Sequence, residues 1–484
     1  MAQVVVGLDL GTSGARAVAV DPAGQVIAAG AAELPPSAPG LPEGWFEQAP
    51  HDWWQAARTA LQALSAGLAG AHQVAAIAVS STSGTVCLAS GAGEPLGAAL
   101  MYSDTRSREE GKRVQAAGRE LADRLGYRFS ASFALPKLLW LAQHRPADMQ
   151  AARWFLSPAD FLAGKLSGTW GVTDWSNALK TGYDLQALRW PAFIEALGLP
   201  LDRFPQVVAP GTPIGQVSAQ GAAETGLPPG VPVLAGATDG CTSQFSTGAV
   251  SPGDWNSTLG TTLVVKGVSE QLICDPLGRI YSHRHPEGHW LPGAASTTGG
   301  EAISVRFAGQ SLDALNAQVL SSAPTSLIIY PLVRKGERFP FLNSEAEGFT
   351  LGESTDPATL YTAHLEGVAY VERLGYDVLQ QIGFSVGDTI YAAGGANKSL
   401  PWLQLRADIL GRRLAVPGTS GAAMGAAVLA AGWAWYGGLT EAARRLVHIE
   451  RTVEPRPELK AAYDERYGRF VEEIKRRGYV MRDA

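Results

Sequence analysis

A short pattern that occurs twice constrains the fold of this chain more than any other feature. Leu10–Ser13 reads LGTS and Leu259–Thr262 reads LGTT, and apolar segments flank both copies. Apolar segments around a glycine turn predict two strands joined by a tight connection. One copy lies near the start of each half of a 484-residue chain. The repetition therefore favours a duplicated unit with two turns facing one ligand, although two unrelated hairpins would give the same letters.

Strand and helix patterns alternate along the rest of the chain. Gly230–Gly240 is an apolar strand pattern that ends in glycines and an acid, and Thr389–Leu414 reads as strand, glycine turn and helix. Helices are predicted at His51–Leu64, with Asp52 as the N-cap, and at Ala358–Ile382, where apolar residues recur at helical spacing. This alternation predicts an α/β fold in both halves.

Length and composition indicate two globular domains. The chain is 46% hydrophobic and only 17% charged, which is enough apolar material for two cores. We expect the boundary after Phe245, with a first domain at 1–245 and a second at 246–484. The charged, amphipathic helices expected at 441–482 would pack on the outside.

Charge, cysteine content and hydropathy argue against several classes of protein. A net charge of −6 without a basic block gives no support for nucleic-acid binding. Three scattered cysteines fit a reducing compartment better than a disulfide framework or a thiolate metal site. The N-terminus lacks a signal-peptide pattern, and the charge-free stretch Gly421–Leu439 is rich in alanine and glycine, which favours a buried helix over a membrane span. We expect a cytoplasmic protein without a membrane partner.

The first glycine turn is a candidate phosphate site. Asp9 ends the strand before the turn, and Gly11, Thr12 and Ser13 follow it. Backbone N–H groups of such a turn can hold a phosphate, and a carboxylate beside a phosphate requires a cation such as Mg²⁺. A plain hairpin would give the same pattern. Neither Gly-Lys pair of the chain precedes Ser or Thr, so a Walker A loop is excluded.

Asp239 is a candidate catalytic residue between a buried strand and a predicted helix. Gly236 and Gly240 leave it accessible to a ligand. It can serve as a helix N-cap, as a base, or as both, because a helix N-terminus keeps a carboxylate ionised. Phosphoryl transfer has a loose transition state, so a base of low pKa suffices to orient an alcohol and accept its proton late.

Two other segments are candidate ligand sites. Gly394–Asn397 reads GGAN between a strand and a helix, which lets a flat ring or a phosphate approach closely, with a simple turn as the alternative. His283, His285 and His289 cluster, but the intervening proline and glycine favour a turn over a metal site.

A series of segments in this order resembles the FGGY family of carbohydrate kinases, within the actin/hexokinase/Hsp70-like ATPase superfamily. The segments are GLDLGTSGARAVAVD, EQAPHDWW, MYSDTRS, LAGATDGCTSQFSTGAV, STLGTT, HRHPEGHWLPGAASTTGG, PLVRKGERFPFLNSEAEG, AHLEGVAYVERLGYDVL and YAAGGANKSLPWLQLRADILGRRL. The resemblance covers nearly the whole chain. It implies two ribonuclease H-like (actin-like ATPase) domains with a cleft between them, each a mixed sheet flanked by helices. The first would bind the sugar and the second the nucleotide.

The resemblance also implies roles for individual residues in a reaction that uses ATP and Mg²⁺. Asp239 matches the catalytic base, which meets the sugar hydroxyl, and Asp9 matches the acid near Mg²⁺ and the reacting phosphate. The other matches are Gly11, Thr12, Ser13 and Arg16 in the first phosphate loop, Gly260 and Thr261 in the second, Gly394, Gly395, Ala396 and Asn397 around the nucleotide, and Asp104 and Arg106 where family members contact or frame the sugar.

One segment departs from the pattern of many bacterial xylulokinases, which carry a Met-His pair that meets the sugar. Here the segment reads SSTSGTV, with Ser83 at or near the position of the histidine. This version is similar to the xylulokinase-like branch of plants and cyanobacteria, whose members phosphorylate D-ribulose. The resemblance therefore implies a ketopentose substrate, phosphorylated at the 5-hydroxyl, with D-ribulose favoured over D-xylulose.

Two alternatives stay open. The same machinery could serve glycerol, erythritol or a hexulose, because the pocket around Ser83 and Asp104 decides the substrate. An ATP-dependent conformational switch related to actin would bind a protein instead of a sugar, but Asp239 in its family setting and the lack of a recognisable peptide-binding or filament-contact domain argue against it. A homodimer is compatible with such a kinase, and no sequence feature specifies one.

Overall fold

The computed structural model describes residues 2–36, 40–68 and 70–479, which form two compact units. Unit 1 contains the chain up to Val250 together with His283–Trp290 and Thr419–His448. Unit 2 contains Ser251–Ser282, Leu291–Gly418 and the chain from Ile449 onwards. Two later segments thus return to unit 1, an arrangement that a single boundary does not describe.

Strands and helices are numbered along the chain, and those up to Val250 come first. The strands there are β1 (Ala2–Gly11), β2 (Gly14–Val20), β3 (Val26–Glu33), β4 (Glu47–Gln48), β5 (His72–Ser81), β6 (Cys87–Ala89), β7 (Ala99–Leu100), β8 (Trp154–Leu156), β9 (Val172–Asp174), β10 (Gln206–Val208), β11 (Pro213–Gln216) and β12 (Pro232–Leu234). The helices are α1 (Pro50–Leu68), α2 (Arg108–Ala117), α3 (Arg119–Leu125), α4 (Ala134–His144), α5 (Pro146–Ala151), α6 (Pro158–Ser167), α7 (Trp175–Leu179), α8 (Phe193–Ala196), α9 (Ala219–Thr225) and α10 (Asp239–Phe245).

The remaining elements follow Val250. The strands are β13 (Trp255–Leu259), β14 (Leu263–Gly267), β15 (Tyr281–Arg284), β16 (Trp290–Ala295), β17 (Ile328–Tyr330), β18 (Phe349–Leu351), β19 (Thr389–Ala393), β20 (Arg413–Pro417) and β21 (Ile449–Val453). The helices are α11 (Glu301–Arg306), α12 (Leu312–Asn316), α13 (Val319–Ser322), α14 (Pro357–Ile382), α15 (Leu400–Leu410), α16 (Ala422–Ala431), α17 (Leu439–Leu446) and α18 (Lys460–Arg476).

Unit 1 is built on a mixed six-stranded sheet in the order β11-β12-β5-β1-β2-β3. Strands β1 and β2 are antiparallel and close on Gly11 and Gly14, which confirms the predicted first hairpin. On its other side β1 pairs in parallel with β5. Because β1 is central, its residues from Val4 to Leu10 are buried and its last residues reach the edge of the sheet where the glycine turn lies.

Helix α16 packs directly against β1 in unit 1. A Cβ atom on Gly7 of β1 would lie 2.0 Å from the carbonyl oxygen of Ala423, so the close approach requires glycine. All but the first residue of α16 are buried, which confirms the predicted buried helix. Among the described residues no single helix is long and apolar enough to cross a membrane, and one pair of segments meets that test only together, with a bend of 108°.

Unit 2 repeats the central arrangement of unit 1. Its sheet has the order β15-β16-β14-β13-β19-β20-β21, in which β13 pairs antiparallel with β14 and in parallel with β19. The second predicted hairpin is therefore confirmed. Strand β19, a turn and α15 follow one another as predicted, and the predicted long helix is α14, whose apolar residues join the core of the unit.

Two local predictions are wrong. Helix α1 begins at Pro50, so Asp52 lies in its first turn instead of at its N-cap. The segment from residue 441 is not helical throughout, because Ile449–Val453 pairs with β20 as the edge strand β21. This strand is mostly exposed and polar, so apolar periodicity did not reveal it. The last predicted residues, 480–482, lie outside the described residues.

Candidate functional site

Asp9 lies near the end of β1, with its side chain almost fully buried. Its strand neighbours are Arg16 on β2 and Ser80 on β5. The Oδ1 atom is buried and has no hydrogen-bond partner among the described residues. A buried, unpartnered carboxylate oxygen is costly, so this atom marks a place for a cation or a proton.

The surroundings of Asp9 make its carboxylate hard to ionise. Burial and then the charge of Asp239 raise the pKa of Asp9 to about 7, and a hydrogen bond from Ser80 and the charge of Arg16 act in the opposite direction. The contribution of Asp239 means that the structure brings the two predicted acids close together. A divalent cation between or beside them would stabilise both as carboxylates.

Asp239 is the first residue of α10 and is half-buried. The preceding Thr238 occupies the N-cap position, so the N-cap interpretation of Asp239 is wrong. The Gly240 backbone N–H donates to Oδ1 of Asp239 at 2.6 Å, a bond that stabilises the ionised carboxylate.

Two glycines allow α10 to sit where it does. A Cβ atom on Gly236 would lie 1.6 Å from the carbonyl oxygen of Val79 on β5. A Cβ atom on Gly425 of α16 would lie 1.7 Å from the carbonyl oxygen of Thr242. Any larger residue at either position would meet a backbone carbonyl oxygen, so α10, and with it Asp239, would have to shift.

Buried hydroxyls that the sequence did not single out connect these acids. The hydroxyl oxygens of Ser80 and Thr242 lie 2.8 Å apart, and Thr242 Oγ1 donates to the carbonyl oxygen of Asp239 at 3.2 Å. On the other side, Ser176 accepts a hydrogen bond from the Thr238 backbone N–H at 2.9 Å and donates to Asp174. The network fixes the start of α10 relative to β5.

The first predicted phosphate loop is open to solvent. Thr12, Ser13 and Arg16 are exposed, and they line a cavity of about 840 Å³ in unit 1. Gln48 also lines this cavity, and its Nε2 donates to the carbonyl oxygen of Thr12 at 2.9 Å. Exposed hydroxyls and a cation around one glycine turn suit an oxyanion ligand.

The predicted sugar residues Asp104 and Arg106 form a buried ion pair. Arg106 Nη2 lies 2.8 Å from Asp104 Oδ2, and Arg106 Nη1 lies 2.7 Å from Glu47 Oε1. The backbone N–H of Phe46 also donates to Asp104, whose side chain is fully buried. This pair therefore has few groups left for a ligand.

Ser83 is half-buried in a loop that packs on a second loop. A Cβ atom on its neighbour Gly84 would lie 2.2 Å from the carbonyl oxygen of Ser132. Lys137, which the sequence reading missed, is fully buried and donates to the carbonyl oxygens of Ala131 and, at 3.1 Å, Phe133. Burial lowers the pKa of Lys137 to about 7, and the charge of Asp104 acts in the opposite direction.

In unit 2 the second predicted phosphate loop is also exposed. Gly260 has open space where a Cβ atom would be, and Thr261 is exposed. The Gly300 backbone N–H donates to the carbonyl oxygen of Gly260 at 2.8 Å, and a Cβ atom on Gly299 would lie 2.5 Å from Cα of Thr262. The turn at Gly299 and Gly300 thus supports the loop, a role that the sequence reading missed.

The predicted nucleotide turn lies against the same loop. Gly394 has φ +96°, and a Cβ atom there would lie 2.4 Å from the carbonyl oxygen of Leu259, the residue before Gly260. Gly395 faces open space, as close approach of a ligand requires, and Ala396 is half-buried beside it. Asn397 Nδ2 donates to the carbonyl oxygen of Ala392, so this amide holds the turn together.

The histidine cluster forms a turn. The backbone N–H of His285 donates to the carbonyl oxygen of His289 at 2.8 Å. Burial lowers the pKa of His285 to about 4. In the part of the chain that the structure describes, no group of three or more His, Cys, Asp or Glu residues is arranged to hold a metal ion.

Comparison with protein-family models gives matches over most of the chain. Residues 4–246 match the N-terminal domain of the FGGY family of carbohydrate kinases, and residues 259–435 match its C-terminal domain.

Individual proteins match along most of their length. The xylulose kinase of Escherichia coli is 29% identical over 88% of this chain and 89% of that protein. The autoinducer-2 kinase of Yersinia pestis is 32% identical over 95% of this chain and 92% of that protein. The crystal structure of a xyloylose kinase from Brucella ovis has a TM-score of 0.88 and 30% identity, covering 97% of this chain and 98% of that one. The fold class predicted from the sequence, two α/β domains of the actin-like ATPase type, is confirmed.

Proposed function

This chain belongs to the FGGY family of carbohydrate kinases, and from that premise we propose that it phosphorylates the 5-hydroxyl of a ketopentose, D-ribulose or D-xylulose. Membership makes the protein a sugar kinase with ATP as the phosphoryl donor. The proposal adds the substrate, the catalytic base, Mg²⁺ and the residues that bind each group.

The observation that carries the proposal is the pairing of two acids with different tasks at one end of the unit 1 sheet. Asp239 accepts a hydrogen bond from the Gly240 N–H, which favours its ionised form. Asp9 is more deeply buried, and its pKa is raised to about 7. An ionised carboxylate at an accessible helix start is suited to accept a proton, and a buried one without a partner is suited to a cation.

In the proposed reaction the sugar hydroxyl attacks the γ-phosphorus of ATP while Asp239 orients it and accepts its proton. The bond between the γ-phosphorus and the bridging oxygen breaks, and ADP leaves. Because the transition state is loose, the base acts late and its low basicity does not limit the rate. The buried hydroxyls of Ser80 and Thr242 would hold the start of α10 in place throughout.

Mg²⁺ fits the vicinity of Asp9. The unpartnered Oδ1 atom and the nearby charge of Asp239 together create a local excess of negative charge that a divalent cation would offset. Bound there with the nucleotide, Mg²⁺ would neutralise charge on the phosphate oxygens.

We assign the ATP phosphates to the glycine loops at Gly11 and Gly260, and the adenosine to the glycine turn at Gly394. Around the first turn, Gly11 is half-buried and Thr12, Ser13 and Arg16 are exposed. Around the second, Gly260 and Thr261 are exposed, so both loops have surface accessible to phosphate. Gly394, Gly395, Ala396 and Asn397 would lie against the adenosine, because Gly395 opens onto free space and Asn397 rigidifies the turn.

For the sugar, Ser83 is the proposed contact, and Asp104 with Arg106 the proposed frame. Ser83 is half-buried beside Gly84, which packs closely on Ser132, whereas the charged pair is saturated by its own contacts and by Glu47. A hydroxyl at Ser83 carries no positive charge and reaches less far than an imidazole. The likeness of SSTSGTV to the branch whose members phosphorylate D-ribulose puts D-ribulose ahead of D-xylulose.

The test is ADP formation from MgATP with D-ribulose, D-xylulose, L-ribulose, L-xylulose, glycerol, erythritol, a hexulose or autoinducer-2, and with no acceptor. Strong stimulation by D-ribulose or D-xylulose supports the proposal, and product analysis would place the phosphate on O5. Equal, slow ADP release in every reaction would contradict it and favour an ATP-driven switch.

Autoinducer-2 belongs in the panel because of one observation. The Yersinia pestis relative, an autoinducer-2 kinase, is 32% identical over 95% of this chain, more than the 29% of the Escherichia coli xylulose kinase. If autoinducer-2 alone stimulates ADP formation, the kinase chemistry holds and the ketopentose assignment is withdrawn.

A further inference from the structure

Strand β4 is only two residues long, yet its side chains contact both candidate sites of unit 1. Glu47 and Gln48 are neighbours in an extended strand, so their side chains point to opposite faces. Glu47 Oε1 lies 2.7 Å from Arg106, and Gln48 Nε2 donates to the carbonyl oxygen of Thr12 at 2.9 Å. Strand β4 therefore joins the Asp104–Arg106 pair, the proposed sugar frame, to the first phosphate loop.

The sugar side of this connection is rigid. Arg106 binds Asp104 through two nitrogens, and its guanidinium lies 3.7 Å from the ring centre of Trp45. Asp104 also accepts from the backbone N–H of Phe46, the residue before β4. A displacement of this ion pair would move β4 itself, because the contacts are short, charged and largely removed from solvent.

The phosphate side is equally well defined. Trp53 is buried in α1, and its Nε1 donates to Oε1 of Gln48 at 2.8 Å. That bond fixes the orientation of the Gln48 amide, leaving Nε2 to hold the carbonyl oxygen of Thr12. Thr12 itself is exposed in the tight glycine turn between β1 and β2, and the bond from Gln48 ties this turn to β4.

We propose that β4 couples occupancy of the sugar site to the conformation of the first phosphate loop, with Gln48 as the positioning residue for Thr12. This inference rests on the proposed function, because it takes Thr12 to bind phosphate and the Asp104–Arg106 pair to frame the sugar. A sugar bound against the ion pair displaces it, β4 moves with the pair as one unit, and Gln48 brings Thr12 into the form of the loop that accepts phosphate. ATP is then bound productively only when a sugar is present.

The test measures coupling directly by titration calorimetry. The dissociation constant of MgADP is determined without sugar and with a saturating concentration of whichever of D-ribulose or D-xylulose is phosphorylated faster by the wild type. Coupling between sites is commonly about 5- to 150-fold. For the wild type we expect the ratio of the MgADP dissociation constant without sugar to that with sugar to lie in that range. In Gln48→Met, which removes the bond to Thr12, the ratio should be near one. The kcat should fall about tenfold while the KM for sugar changes less than about threefold.

Gln62→Met is the matched control. Gln62 Nε2 also donates to a backbone carbonyl, that of Glu224 at 2.7 Å, but far from both candidate sites along α1. It should leave the ratio and kcat unchanged. If Gln48→Met is poorly folded, Gln48→Glu replaces it, since a carboxylate still accepts from Trp53 but cannot donate to Thr12. Glu47→Gln should lower the ratio as well.

A wild-type ratio near one, or an unchanged ratio in a folded Gln48 variant, overturns the inference. Failure of the proposed function looks different, because the wild type would then show no pentulose-dependent ADP formation at all. An active wild type whose Gln48 variants keep full coupling would leave the kinase assignment standing and remove only the role of β4.

Discussion

Replacing Glu366 by glutamine should change how the stability of unit 2 depends on pH. Glu366 lies in α14 and is fully buried. Burial raises the pKa of Glu366 to about 7, although hydrogen bonds from Thr325 and Tyr463 and the charge of Arg466 act in the opposite direction. Its carboxyl oxygen and the Thr325 hydroxyl lie 2.5 Å apart, and that hydroxyl donates to the carbonyl oxygen of Leu327. A protonated carboxyl group therefore satisfies this network, as would a glutamine amide.

The direction of the effect follows from proton binding. Between pH 4.5 and about 7 the folded protein holds a proton on Glu366 that the unfolded chain releases. The contribution of the Glu366 carboxyl group to the free energy of unfolding is therefore complete below pH 4.5 and is lost as the pH rises through about 7. At about 1.36 kcal/mol for each pH unit, the interval of about 2.5 units corresponds to at most about 3 kcal/mol. Glutamine does not titrate, so the variant should keep the stability that the wild type loses as the pH rises.

The assay is thermal unfolding of wild type and Glu366→Gln between pH 5 and pH 8. For a domain of this size about 1 kcal/mol moves the melting temperature by about 2–4 °C. The variant should gain stability relative to wild type as the pH rises, by up to about 6–12 °C at pH 8, and the gain should level off above pH 7. Glu465→Gln, an exposed glutamate on α18, is the control and should show no such trend. A difference that is independent of pH would refute the reasoning.

Two other predictions concern the proposed sites. Gly425→Ala should lower kcat at least tenfold with a smaller effect on folding, because the new methyl group would meet the Thr242 carbonyl and displace α10 with Asp239. Steady-state kinetics and a melting curve measure the two effects, and an unchanged kcat would contradict the prediction. Gly395→Val should raise the KM for ATP at least tenfold and leave the KM for sugar within about twofold, because the valine side chain would fill the open space at the nucleotide turn. Equal changes in both KM values would contradict the assignment of this turn to the nucleotide.

Local chemistry explains which parts of the fold could be predicted from the sequence. The hairpins around Gly11 and Gly260 depend on apolar segments beside a glycine turn. Such a pattern lies within about twenty consecutive residues, so the sequence alone predicts it. Strand β21 was missed because an exposed edge strand has no apolar periodicity. The return of α16 and α17 to unit 1 was missed for another reason, since only packing over hundreds of residues decides it.

The candidate site divides in the same way. Asp9, Asp239 and the glycine turns were identified because acids and glycines at strand ends carry a chemical signal of their own. The groups that position them carry none. Ser80 and Thr242 bond across a separation of 162 residues, and Gln48 contacts Thr12 from a different strand. Serine, threonine and glutamine are common on any surface, so only the folded arrangement reveals these contacts.

The kcat of Asp239→Asn with MgATP and the preferred pentulose decides whether Asp239 is the catalytic base. Asparagine keeps the shape of the side chain and can still accept a hydrogen bond from Gly240, but it cannot take the proton of the sugar hydroxyl. A positioned general base commonly contributes about 10²- to 10⁴-fold. We predict a loss in that range with an unchanged melting temperature, and no loss in Asp123→Asn, an exposed aspartate of α3. A folded Asp239→Asn with wild-type turnover would contradict the account.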